Sequence, residues 1–142
     1  MRNKKTNYMI SCHELRLGNR VLVDKNLQQV SMITGTTVFT IDAEEGHGQK
    51  ASEQSFEQIE PVPLTDDVLK QCGFVFHGYF KFWQLLTTGA RSEMDVDSDY
   101  DVIDFMRRPI IKKMASLHQL QNVYFMLKGS ELKLYDTTIA AR

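Results

Sequence analysis

Three aspartates stand at alternate positions, Asp95, Asp97 and Asp99. That spacing opens an EF-hand calcium loop, which also needs glycine at position six for its sharp turn and a bidentate glutamate at position twelve. Tyr100 and Met106 occupy those positions, so the calcium motif fails. The expectation for Asp95–Asp101 is a solvated hairpin tip, to which Asp101 and Asp104 add charge that could gather a weak cation. The soft ligands are Cys12, His13, His47, Cys72, His77 and His118. None of them makes a C-x2-C or H-x3–5-H pair, and structural zinc takes four ligands. No metal and no cofactor is expected. Cys72 and His77 are near enough in sequence to meet across a turn, and a thiolate nucleophile needs such a base. This is a remote enzyme reading. Cys72 at the apolar side of a helix end is better explained as a small packed hydrophobe. There is no G-x-S-x-G, Walker loop or G-x-G-x-x-G, and Gly46-His47-Gly48 lacks the strand-to-helix context of a phosphate loop. No residue is expected to be catalytic.

Two constellations suit binding better than catalysis. Phe74, Phe76, Tyr79, Phe80, Phe82 and Trp83 crowd one segment, and aromatic rings can stack bases. Arg107, Arg108, Lys112 and Lys113 could supply phosphate contacts. Segments 74–83 and 107–113 together define a nucleic-acid reading. The alternative is that the aromatics fill a core while the basic residues solvate a strand edge, where lysine resists aggregation. Farther on, His118, Gln119, Gln121 and Asn122 form a polar helix face that a partner could recognise. Helix-capping preference accounts for His118 and Gln119 equally well.

These residues must be positioned by short elements. Arg20–Asp24, Gln29–Thr34 and Thr37–Ile41 alternate like half-buried antiparallel strands. They place Val21 with Val23, Val30 with Met32, and Phe39 with Ile41. Asp24-Lys25-Asn26 is a turn, because Asp and Asn tolerate the left-handed region. Asp42–Gln54 has almost no apolar anchor and reads as a long exposed loop. A short strand is expected near Ser55–Glu60. Four such strands suggest a small open barrel or sandwich.

Glu60-Pro61-Val62-Pro63 ends the sheet, since proline lacks a ladder donor. The expected division is therefore 1–63, a small β-barrel-like unit, and 64–142, an α+β unit. A helix follows with Thr65 as N-cap, Asp66 and Asp67 at its positive end, and Gly73 past its close. Phe74–Leu86 reads as two strands or one bulged strand. Ser92–Val96 and Asp101–Met106 flank a turn at Asp97–Tyr100, and Ile110-Ile111 could begin another strand after Arg108-Pro109. The clearest element is a helix over about 117–128. Ser116 and Gln119 match a capping box, and Gly129 sits at C′. Leu117, Leu120, Val123, Tyr124 and Leu127 form a stripe about 120° wide. Phe125 and Met126 fall outside it and are the expected docking or self-association contact, with His118, Gln121 and Asn122 beside them. A last strand is expected at Glu131–Tyr135.

At 142 residues, the chain is long enough to bury roughly 70% of its unfolded surface. Its net charge is −1, which argues against strong nonspecific attraction to nucleic acid or an anionic membrane. Two distant cysteines make no disulfide framework, so a reducing compartment is expected. No apolar run approaches the roughly 18 residues of a membrane span. The expected location is the cytoplasm, without membrane contact.

Glu14-Leu15-Arg16-Leu17-Gly18-Asn19, Ile59–Thr65 and His118–Phe125 resemble a family of small uncharacterised bacterial and prophage proteins. Its members share E-L-R-x-G-N, I-x-P-I/V-P-L-T and H-Q-L-Q-N-x-Y-F segments. The resemblance spans most of the chain apart from Asp42–Gln54 and Thr87–Ser92. It implies an SH3-like β unit followed by an α+β unit, and no activity. The expected function is a noncatalytic binding or interaction module that takes a protein partner or a second copy, of phage or mobile-element origin. Nucleic-acid binding is the alternative.

Overall fold

The computed structural model describes residues 9–42, 50–86 and 92–135. The loose end expected over residues 1–7, the Gly46-His47-Gly48 segment and most of the expected exposed loop lie outside them. The described residues are α+β, with two antiparallel sheets and two α-helices among them. It divides between Val62 and Pro63.

The first unit is a five-stranded sheet curled into a half-barrel. Its strands are β1 (Arg20–Val23), β2 (Asn26–Ile33), β3 (Thr37–Asp42), β4 (Ser52–Ser55) and β5 (Ile59–Glu60), in the order β4-β3-β2-β1-β5. Asp24 and Lys25 both take positive φ, 52° and 65°. They make the two-residue turn that matches strand twist, and Val23 pairs with Asn26. Ile10, Leu15, Val21, Val30, Val38 and Ile59 form the core.

Two strand faces differ from expectation. A register shift between Val30 and Met32 is a bulge. The extra residue turns Met32 outward while Val30 stays buried. On β3 the buried residues are Val38 and Thr40, not Phe39 and Ile41. Thr40 is satisfied inside by donating to Gln28 Oε1 at 3.0 Å. The exposed loop expected to reach Gln54 is also shortened by β4, whose Val38↔Gln54 and Thr40↔Ser52 pairings extend the sheet. Polar residues suffice there because an edge strand needs only backbone partners.

Pro63 belongs to the second unit, because it bridges to Ser116, and Leu64 N–H donates to Ala115 C=O at 3.0 Å. Helix α1 (Asp66–Gln71) starts where Thr65 Oγ1 accepts the Val68 N–H at 3.2 Å. Five strands follow: β6 (Val75–His77), β7 (Phe82–Leu86), β8 (Ser92–Asp97), β9 (Val102–Ile103) and β10 (Pro109–Ile111), in the order β10-β9-β8-β7-β6. Register aligns Phe76, Trp83, Val96 and Val102 in one cross-strand row. Trp83, Val96 and Val102 are buried. The alternate row carries His77, Phe82 and Asp97.

Helix α2 (Leu117–Lys128) has Ser116 as N-cap and Gly129 at φ 76°. The Gln119 amide oxygen accepts from Ala115 N–H at 2.8 Å, one residue before the donor a capping box uses. The Tyr124 hydroxyl donates to Glu93 Oε1 at 2.8 Å and ties α2 to β8. Burial and that carboxylate hold the Tyr124 phenol above its ordinary pKa.

No strand forms at 131–135. Tyr135 N–H instead donates to Gln71 C=O at 2.8 Å, satisfying one of the orphan carbonyls that end α1. No helix among the described residues is long and apolar enough to cross a membrane.

Candidate functional site

Asp97 and Asp101 are occupied by backbone amides, and Asp95 by a hydroxyl. Asp97 Oδ1 accepts the amides of Asp99 and Asp101 at 2.9 and 3.0 Å. Asp101 Oδ1 accepts Lys113 N–H at 2.6 Å, and Asp95 accepts the Ser92 hydroxyl. Asp97 shapes the β8–β9 turn, as short acidic side chains do, while Asp101 ties the far side of that turn to Lys113. Among the described residues, no group of three or more His, Cys, Asp and Glu is placed to hold a metal ion. Cys72 is buried. The His77 ring lies flat on Phe82, with centroids 5.5 Å apart, and against Phe80 at 5.1 Å.

Asp104 builds the next turn. Its Oδ1 accepts both Met106 N–H and Arg108 N–H at 2.9 Å, and its Oδ2 takes Arg108 Nε at 3.2 Å. Those backbone amides, with the Arg108 charge, hold the carboxyl below its ordinary pKa. This explains why the strand expected over Asp101–Met106 shrinks to Val102–Ile103: the amides that would continue the ladder are captured by Asp104. The turn forces Arg107 to φ 64°, a conformation uncommon outside glycine. It leaves Phe105 88% exposed and also puts Met106 in solvent.

Arg107 joins this turn to the one between β6 and β7. Its guanidinium carbon sits 4.1 Å from the Phe80 centroid and 5.1 Å from that of Phe82. Tyr79, 83% exposed, meets Phe80 edge-on at 4.7 Å. Lys81 at φ 60° closes that turn. The Ser98 hydroxyl fixes it by donating to Lys81 C=O at 3.0 Å. The Arg107–Phe80 stack thus links two turns, one carrying the exposed Tyr79 and the other the exposed Phe105 and Met106. Segments 74–83 and 107–113, separate in sequence, meet here through Arg107. Arg108 is paired with Asp104, whereas Lys112 and Lys113 are exposed.

The expected contact on α2 is corrected in part. His118 and Gln121 are buried, at 0% and 4% exposure, so they are not an exposed partner face. The helix turns Leu117, His118, Leu120, Gln121 and Tyr124 inward, an arc of about 160° at 100° per residue. That arc is wider than the apolar stripe and rotated towards the polar side. Leu127, assigned to the buried stripe, is exposed. Asn122 is half-buried, while Phe125 and Met126 are exposed.

Phe105 and Met106 were not identifiable as surface residues from strand periodicity. The signal that finds them is Asp104 three residues before the Arg107-Arg108-Pro109 break, an aspartate-initiated turn. Neither a family model, nor a curated protein, nor a solved structure matches the chain.

Proposed function

We propose that the chain is a noncatalytic binding module, and that turns 78–81 and 104–108 of its second unit form the contact surface for a protein partner. The observation that carries this is Phe105 and Tyr79 held in solvent on two turns whose backbones are fixed by Asp104 and Ser98. Burying one such side chain on a partner is worth roughly 1.5–3 kcal/mol. Tyrosine and arginine are also the residue types that dominate interface energetics. Arg107 has no carboxylate within salt-bridge distance among the described residues, so its charge is available at the centre of the surface. The noncatalytic part rests on the reactive groups being engaged: Asp97, Asp101 and Asp104 hold amides, and Cys72 is enclosed.

The test is Tyr79→Ser combined with Phe105→Ser. The melting temperature stays within about 2 °C, because exposed side chains contribute little to stability. Capture of the host partner by the immobilised chain falls at least about tenfold. A folded variant that captures the same protein equally well contradicts the reading.

Nucleic acid is the second reading, favoured by Arg107 stacked on Phe80 with Lys112 and Lys113 exposed nearby in sequence. It requires anisotropy binding of single-stranded or duplex oligonucleotides that weakens with salt and is lost in Arg107→Ala. No binding at low salt removes it. An SH3-like identity for the half-barrel and kinship to the small bacterial and prophage proteins remain part of the proposal, supported by the strand order and the three quoted segments. A cytoplasmic location is supported by Cys12 and Cys72, neither of which forms a disulfide.

A further inference from the structure

The carboxylates around Arg107 are committed elsewhere. Asp104, on the same turn, gives Oδ1 to the Met106 and Arg108 amides and Oδ2 to Arg108 Nε. Asp97 is filled by the amides of Asp99 and Asp101. The Arg107 guanidinium has no hydrogen-bond acceptor among the described residues. Its position is fixed all the same. The Asp104 turn holds its backbone at φ 64°, and the guanidinium carbon lies over Phe80 at 4.1 Å and close to Phe82 at 5.1 Å. Aromatic rings attract a cation to their faces, but they leave its N–H groups unpaired. A guanidinium carries five such donors in a planar fork. The group that matches the fork is a planar, bidentate anion, a carboxylate or a phosphate.

We infer that Arg107 receives a carboxylate, and that the partner protein presents it as an aspartate or glutamate in a short segment whose apolar neighbour covers Tyr79. This rests on the reading that turns 78–81 and 104–108 are the contact surface, and it adds the partner's chemistry. Charge decides between the two anions. Asp99 is exposed next to Ser98, whose hydroxyl binds the Lys81 carbonyl, and Asp104 shares the turn of Arg107. A nucleic-acid strand carries a phosphate at every nucleotide and brings several negative charges past these carboxylates. One acidic side chain brings a single charge to the open fork. Lys81, exposed and without a carboxylate partner among the described residues, adds a positive charge on the first turn. Tyr79 meets Phe80 edge-on at 4.7 Å, so a residue beside the bound carboxylate falls on an aromatic ring. Arginine is among the costliest side chains to immobilise. Arg107 is already held against Phe80, so binding spends less entropy on it.

The experiment is a nuclear magnetic resonance titration of the full chain. The probes are an acetylated peptide alternating glutamate with leucine, the same peptide with glutamine for glutamate, and a single-stranded oligonucleotide of similar length. The glutamate peptide shifts the Arg107 side-chain N–H signals and the Phe80 and Tyr79 ring signals. The glutamine peptide binds at least about fivefold more weakly, the upper range for an exposed ion pair. Arg107→Gln abolishes the difference between the peptides. Arg107→Lys keeps the charge but not the fork and retains part of it. Equal binding of the two peptides overturns the inference, as does a preference that survives Arg107→Gln or an absence of shifts at these residues. Tighter binding of the oligonucleotide overturns it in favour of phosphate. The contact-surface reading is judged separately. If Tyr79→Ser with Phe105→Ser abolishes partner capture while the peptides are not distinguished, the surface stands and the carboxylate falls.

Discussion

Asp104 shows how one side chain can organise a surface. Its carboxylate takes two backbone amides and one guanidinium nitrogen, and the turn it closes holds Arg107 at positive φ. Without the carboxylate, the amides of Met106 and Arg108 lose their acceptor. Asp104→Ala is therefore expected to release the turn, move Arg107 off Phe80 and leave the rest of the second unit folded. Nuclear magnetic resonance reads this as shifted Phe80 ring and Arg107 signals with unchanged core signals. The same change follows acidification. The folded carboxyl lies below its ordinary value of 3.8, so its contribution is present above that pH and is lost as pH falls through the lower folded value. A turn that loosens near neutral pH, or survives Asp104→Ala intact, is inconsistent with this role.

At the scale of elements, caps and turns carry more information than periodicity. Thr65, Ser116 and Gly129 all act at the helix ends where their chemistry places them, and the bounds of α2 follow from them. Ser116→Ala should cost about 1 kcal/mol, measured by denaturant titration. A cost near zero would mean that Gln119 and the Pro63 bridge hold the helix start without the hydroxyl. Facing was less legible. The apolar stripe of α2 could not anticipate His118 and Gln121 in the interior, because which arc of a helix faces the core is set by its packing and not by its own pattern alone. The β2 bulge likewise inverts Met32, and nothing in a two-residue period signals an inserted residue. Strand lengths failed where a side chain competes for ladder amides, as Asp104 does. The segment 131–135 failed where a helix end supplied a better partner than a strand.

For the whole molecule, the α+β class was legible because strand alternation and helix caps are local signals; the prolines and caps at 60–65 set the expected boundary after Pro63, and the structure divides between Val62 and Pro63. The two halves of the candidate surface were visible as separate aromatic and basic segments. Their union through Arg107 was not, since it depends on sheet order and on a strained turn. The account makes turns 78–81 and 104–108 the binding surface, and hydrogen exchange of the chain with and without its captured protein partner tests that most directly. It predicts slowed exchange concentrated in those two turns. Protection confined to the half-barrel, or to α2 around Phe125 and Met126, with both turns unchanged, would contradict it.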